Sequence, residues 1–479
     1  MNNFDIMDEL RKDPNELEKD RKIESIRDSF RINRAGEPKA QLANVIKALG
    51  HPDLEIYLDE FSQNIYVDGQ ILSDEKEAEI ALFFDDVFDF CPKTSLIHEG
   101  IKMVAKQNKR NLIKEKFEKF AKLWQQRDNK ISLIDSFISD YLGVKPYIYD
   151  PASNDPEIIE STNEILQYIE SKHPNPNESN KILESLKGID LIKAYSRNIF
   201  LGAVARSCFA TAEKPIKFDS MLILYGVQGL GKSTLIRALC LEDRYFADDF
   251  IDMSSKDGKM ALSGILLYEI KEMKTKGPRN QKIFKAFIDS SIDRIRAPYA
   301  RSVTKVPRRN IFIGSTNRGD IHSDLTGSRR EWVVWCGISQ KFSEEAPKNN
   351  NMFNIEEIKR IAPLLWGEAY YRYAIQKEQQ IWLTTEEEKL RTILSENHRM
   401  IDPFEKYARE FLNDPITNND QICPIEMLTS GHFGKYMDKS KITKGDVARL
   451  GLIMKSLGYQ RARIRKGSVR KYVFLKNQQ

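Results

Sequence analysis

Residues Gly226 to Ser233 read Gly-Val-Gln-Gly-Leu-Gly-Lys-Ser, the spacing G-x-x-x-x-G-K-[ST] that wraps backbone N–H groups around a phosphate. Such a loop is credible between a strand and a helix. Here an apolar run, Leu222 to Tyr225, leads into it and Thr234 to Leu239 continue it with a helical pattern. Gly226, Gly229 and Gly231 give the backbone the freedom to close on the β-phosphate, with Gln228 and Thr234 completing the cradle. Lys232 is placed to reach the β/γ oxygens and Ser233 to hold Mg²⁺. The cofactors expected are therefore ATP and Mg²⁺.

Hydrolysis needs more than a cradle. Some thirty residues on, Ser263 to Glu272 form an apolar strand pattern that ends in carboxylates, Glu269 and Glu272. One acid there would hold Mg²⁺ and the other would orient the attacking water; the spacing does not say which does which. A second buried-strand pattern, Pro307 to Asn317, carries a polar tip, and Asn317 is expected to act as a sensor of the γ-phosphate. Just beyond it, Arg329 and Arg330 sit in a loop pattern. A guanidinium supplied by a neighbouring subunit from that loop would stabilise charge on the transferring phosphoryl group.

Two basic features lie outside this chemistry. Between the acidic strand and the sensor strand, Asp293 to Lys305 suggest two strands joined by a basic turn, with Arg301 and Lys305 gripping a sugar-phosphate backbone. Asp293, Arg294 and Arg296 could instead form structural ion pairs. At the other end of the chain, residues 441–479 carry eleven Lys/Arg against one acid, whereas the whole chain carries only +5. A basic terminus on an otherwise acidic chain is the footprint of a nucleic-acid module. Within it a helical stripe, Val447, Leu450, Ile453, Met454 and Leu457, stops at Gly458. A hairpin pattern follows, bearing Arg461, Arg463, Arg465, Lys466, Arg470 and Lys471. Helix followed by basic hairpin predicts a winged helix that meets duplex DNA.

These elements need a multidomain α/β frame. We expect a mostly helical N-terminal domain over 1–150, with a short hairpin at Asp68-Gly69 and a helix near Lys102 to Arg127 whose apolar face is core. Residues 151–190, rich in Pro, Asn and Ser, read as a linker or insertion. An α/β nucleotide-binding core over 191–340, a helical segment over 341–415 and a basic module over 416–479 complete the layout. Composition, 41% hydrophobic and 30% charged, is that of a globular protein. The absence of a long apolar stretch and of a secretory leader pattern predicts a cytoplasmic protein with no membrane partner. Five dispersed cysteines speak against disulfides and zinc.

Taken in order, the phosphate loop, Tyr245-Phe246-Ala-Asp248, Lys256-Asp257, Glu269-x-x-Glu272, Lys285-Ala-Phe, Asp293 to Tyr299, Pro307-Arg-Arg, Ser315-Thr-Asn317 and Thr326-Gly-Ser-Arg-Arg resemble the virulence-associated protein E family. The resemblance implies an AAA+ core related to superfamily III helicases and ring oligomers, with a hexamer expected and ATP held between subunits. It also implies action in DNA replication of a mobile element, with single-stranded DNA in the channel and a primase or host replication proteins as partners. Ser328 stands where the family often has Asn before its arginines. Some relatives carry a primase domain, but residues 1–145 show no carboxylate pattern for one. Two functions follow: an ATP-driven helicase and replication initiator, or a DNA-binding ATPase switch that recruits other replication proteins without unwinding. A small-molecule kinase would leave the basic features idle.

Overall fold

A computed structural model describes residues 13–226, 228–249, 252–253, 255–271, 278–295, 304–317, 329–337, 353–396, 403–414, 421–430, 442, 447, 450–451, 453–455, 457–466 and 469–476. Glu272 and Arg301 lie outside the described residues.

The first hundred residues are not purely helical. Helices α1 (Pro14–Asp28) and α2 (Leu42–Ala48) precede strands β1 (Ile56–Asp59), β2 (Ile65–Val67) and β3 (Gln70–Ile71), then α3 (Asp74–Phe88), α4 (Thr94–Gln107) and β4 (Lys109–Arg110). The four strands form one sheet in the order β3-β2-β1-β4. The hairpin expected at Asp68-Gly69 is there, with both residues at positive φ, 50° and 77°, the backbone that a tight two-residue turn demands. The sheet and helices enclose their own core, from Phe30 to Ala105.

From Asn111 onward the chain packs elsewhere. Helices α5 (Leu112–Gln125) and α6 (Leu133–Leu142) place Ile113, Phe117, Ile134 and Phe137 in the same core as the phosphate-loop strand. The organisational break thus falls near residue 110, not 150. Residues 151–190 also differ from their compositional reading. They form α7 (Pro156–Lys172) and α8 (Pro176–Leu186), whose Ile165, Ile169, Leu183 and Leu186 are buried in that core. The Pro and Asn content that suggested a linker is capping chemistry. Asp155 and Asn175 accept hydrogen bonds from the first-turn N–H groups, with Pro156 and Pro176 at the opening positions, where a missing N–H costs nothing.

Helix α9 (Leu191–Val204) then leads to a parallel sheet. Its strands are β5 (Met221–Tyr225), β6 (Phe246–Ala247), β7 (Leu267–Lys271), β10 (Ile311–Thr316) and β11 (Glu331–Trp335), in the spatial order β11-β5-β10-β7-β6. Interleaved in sequence are α10 (Lys232–Leu239), α11 (Lys256–Met260), α12 (Pro278–Asp289) and a separate antiparallel pair, β8 (Ile292–Ile295) and β9 (Thr304–Pro307). Both faces are covered, which is why these strands are largely apolar away from their ends. Leu222 and Leu224 face α9 and α10, whereas Met221 and Ile223 face Phe284, Phe287 and Ile288 of α12.

Helix α13 (Ile355–Tyr370) locks this core to α5. At Gly367 the two helices approach so closely that a Cβ would sit 2.3 Å from the Phe120 carbonyl oxygen. One residue earlier, Trp366 stacks on Phe117, with ring centroids 5.1 Å apart. Its indole N–H donates to the Leu239 carbonyl, 2.7 Å away, at the end of α10. After α14 (Thr385–Glu396) and α15 (Pro403–Asn413) come β12 (Gln421–Ile422), α16 (Pro424–Leu428) and the hairpin β13 (Tyr459–Lys466) and β14 (Val469–Lys476). Leu450, Ile453 and Met454 pack with Ala408, Met427 and Phe474 in a third core. Among the described residues no helix is long and apolar enough to cross a membrane.

Candidate functional site

Strand register fixes which residues can meet. Tyr225 pairs with Thr316, and Ser315 pairs with Lys271. The phosphate-loop, sensor and acidic strands therefore end at one edge of the sheet.

At that edge Gly229 and Gly231 sit at φ +89° and +86°, left-handed backbone that a side chain would strain. Gly226 is constrained differently: a Cβ there would lie 2.6 Å from the Leu230 side chain and 3.3 Å from the Cys336 carbonyl oxygen. Burial pushes the Cys336 thiol up to about 12, so it packs as an apolar neighbour. The N-terminus of α10 has no side-chain cap, which leaves its N–H groups for an anion. The Lys232 ammonium donates to the Gly226 carbonyl at 2.9 Å, folded along the loop it would serve.

The acidic strand completes the arrangement. Glu269 is only 1% exposed. Its Oε1 accepts hydrogen bonds from Ser233 Oγ at 2.7 Å and Ser315 Oγ at 2.5 Å. Its Oε2 is buried with no hydrogen-bond partner among the described residues. A buried carboxylate oxygen in that state is costly unless a cation or donor answers it, so the donor set fits a divalent cation beside Ser233. The sequence reading names Ser315 only as part of a motif and gives it no role. The signal for it is its place two residues before Asn317 on the sensor strand, where a side chain falls on the same strand face. Asn317 itself follows β10 at this edge and is exposed.

The arginine pair lies at the opposite edge. Arg330 immediately precedes β11, and its carbonyl accepts from Met221 N–H at 2.7 Å, at the start of β5. The full length of β5 separates it from Gly226, about 15 Å at strand rise. The two arginines are not equivalent. Arg330 Nε and Nη2 bind both oxygens of Asp289, at 2.5 and 2.6 Å, with only 18% of the side chain exposed. Arg329 is 63% exposed and reaches Asp219 at 3.5 Å.

The basic features divide as well. In the β8–β9 pair Lys305 is exposed and stands opposite Arg294. Asp293 instead forms a buried ion pair with Arg308, at 2.7 and 2.9 Å, the structural role left open for it. In the C-terminal hairpin, Arg461 lies over the Tyr472 ring at 4.2 Å and Arg463 at 5.7 Å. Arg465 and Arg470 pair by register, as do Lys471 with Ile464 and Lys466 with Val469.

Residues 177–400, which include the loop, Glu269, Ser315 and both arginines, match the virulence-associated protein E-like domain. The family resemblance read from the motifs is thus shown for the region that holds them. Among solved structures, the apo structure of the NrS-1 C terminal region (305-718) is similar at 12% identity and a TM-score of 0.43, covering 92% of this chain and 100% of that one. The A form apo structure of the same region gives the same values. No curated protein matches the chain.

Proposed function

We propose that this chain is an ATP-driven motor on DNA, built as an AAA+ core that works in a ring and acts in replication of a mobile element. The observation that carries the reading is the convergence of Ser233, Glu269 and Ser315 through two hydrogen bonds to one buried carboxylate. Glu269 and Ser233 would hold Mg²⁺, whose charge neutralises the phosphate oxygens when bound. The N–H groups of Gly229 to Ser233 orient the phosphates. Lys232 exchanges its bond to the Gly226 carbonyl for the phosphate oxygens, and Asn317 positions the attacking water. Glu272 lies outside the described residues, and the assignment of the metal-side role to Glu269 rests on the contacts of Glu269 alone.

Arg329, exposed and an entire strand length from its own phosphate loop, suits a site completed by the neighbouring subunit. Arg330 suits a structural role. The sensor strand between the loop strand and the acidic strand supports the AAA+ reading. For DNA, Lys305 and Arg301 are the channel candidates. The winged-helix reading of residues 416–479 draws on the three-stranded β12-β14-β13 sheet with its helical core, which presents Arg461 and Arg463.

Purified full-length protein on forked DNA tests this. Wild type is expected to hydrolyse ATP and separate strands. Lys232→Ala should reduce both by about 10²-fold or more. Hydrolysis without strand separation in wild type would make the chain the recruiting switch instead. Undiminished hydrolysis in Lys232→Ala would sink the active-site assignment.

A further inference from the structure

The C-terminal hairpin outruns the sheet that holds it. Strand β12 pairs only with Phe474 and Leu475 of β14, whereas β13 and β14 stay paired from Tyr459 and Lys476 out to Lys466 and Val469. Phe474 is 1% exposed in the third core, but Tyr472, two residues nearer the turn on the same strand face, is 48% exposed. Arg463 stands opposite Tyr472 by register, and Arg461 lies diagonal to it. Their guanidinium carbons sit 5.7 and 4.2 Å from the Tyr472 ring centroid, inside the range of a cation–π contact. The result is a half-open aromatic ring attended by two planar cations on a projecting ribbon.

Charge and shape decide what such a ring takes. Residues 459–476 include seven Lys/Arg and no Asp or Glu, which suits a polyanion. Phosphate needs only the cations, and a ring left half in solvent adds nothing to a phosphodiester contact. What answers an aromatic face bordered by guanidinium is the face of a nucleobase. Inside a duplex the base faces are covered by their neighbours, and a protein in a groove meets only their edges. A stacking site therefore needs an unpaired base.

We infer that Tyr472, with Arg461 and Arg463, is a stacking site for an unpaired base at the junction between single-stranded and duplex DNA. The inference rests on the reading of residues 416–479 as a DNA module and sharpens its substrate: the cations of the ribbon hold backbone, and Tyr472 takes the first base that has lost its partner. The module then recognises a fork, whereas a ribbon that bound phosphate alone would treat fork and duplex alike.

Full-length protein is titrated with forked DNA and with a relaxed, covalently closed duplex circle, which has no unpaired base. Tyr472→Ala is expected to weaken fork binding roughly tenfold, the usual cost of losing one base–aromatic stack. Its affinity for the circle should stay within about twofold of wild type, which also reports that the module is folded. Tyr472→Phe should restore most of the fork affinity. Because no charge is lost, the slope of log affinity against log salt should match wild type in both variants. Emission of 2-aminopurine at the first unpaired position should fall on binding wild type or Tyr472→Phe, and not on binding Tyr472→Ala. A Tyr472→Ala loss that is equal on fork and circle, or absent from both, or a 2-aminopurine signal that Tyr472→Ala leaves unchanged, would overturn the stacking site. Fork and circle binding unaffected by the double variant Arg461→Ala, Arg463→Ala would instead overturn the DNA-module reading, so the two failures are distinguishable.

Discussion

The two edges of the parallel sheet use charge in opposite ways. At the edge where strands end, Glu269 is buried with one oxygen satisfied twice and the other satisfied by no described residue. At the edge where strands begin, Arg330 spends its guanidinium on Asp289 while Arg329, next to it in sequence, stays largely in solvent. A buried carboxylate oxygen with no hydrogen-bond partner is costly unless a cation or donor compensates it. An exposed, loosely held arginine is available to something outside the subunit. On the proposed function, the two edges would be half-sites that combine between copies of the chain.

Removing the exposed arginine is the strongest way to break that comparison. Arg329→Ala should lower ATP turnover by about 10³-fold, as loss of an arginine finger does, with ATP affinity unchanged because the residue is remote from its own loop. A mixture of Arg329→Ala with Lys232→Ala subunits should recover part of the activity, since some junctions then pair an intact loop with an intact arginine. No recovery on mixing, under conditions where wild-type subunits exchange, would show that the two edges do not meet.

At the other edge the expected effects are smaller and graded. Glu269→Gln keeps the size of the side chain and an oxygen for Ser233 and Ser315 but removes the negative charge, and should cost about 10²-fold in turnover. Ser315→Ala removes one of two hydrogen bonds to Oε1 but leaves the charge, and should cost about tenfold, the lower end of the roughly 1.5–3 kcal/mol that a hydrogen bond to a charged group contributes. The ranking is the test: turnover rates of the two variants in saturating Mg·ATP should fall in that order. A Ser315→Ala loss equal to that of Glu269→Gln would make Ser315 part of the machinery rather than a support for it.

What the residues disclosed in advance follows a physical line. The loop, both sheet strands and the hairpin at Asp68-Gly69 were legible because each depends on local chemistry: glycine at positive φ, continuous apolar strands, a carboxylate at a strand end. Two things were hidden. Composition made residues 151–190 look like a linker, although Asp155-Pro156 and Asn175-Pro176 are cap-and-start pairs whose helices carry a buried stripe. The difference between Arg329 and Arg330 was also invisible, because Asp219 and Asp289 are remote in sequence and reach the arginines only once β11 pairs with β5 and α12 packs on the sheet.

The smallest expected effect separates Arg330 from its neighbour. Burial raises the cost of a charged Asp289, but the two hydrogen bonds and the charge of Arg330 outweigh it and hold that carboxyl below its ordinary value. Because the folded value is depressed, the pair contributes stability fully above the unfolded pKa of about 3.9, and the contribution is lost as pH falls through the folded value. Arg330→Ala leaves Asp289 without that partner. With Asp289 one-third exposed, solvent screening limits the loss to about 1 kcal/mol at neutral pH. Urea unfolding followed by tryptophan emission should therefore show a wild-type advantage that is flat from pH 7 to about 5 and shrinks below about 4. Arg329→Ala should show neither the advantage nor its pH dependence, since Arg329 is largely exposed and touches Asp219 through one long contact of 3.5 Å. Equal destabilisation by the two substitutions would place both arginines in the structural role and leave the start of β11 with no cation to offer a neighbour.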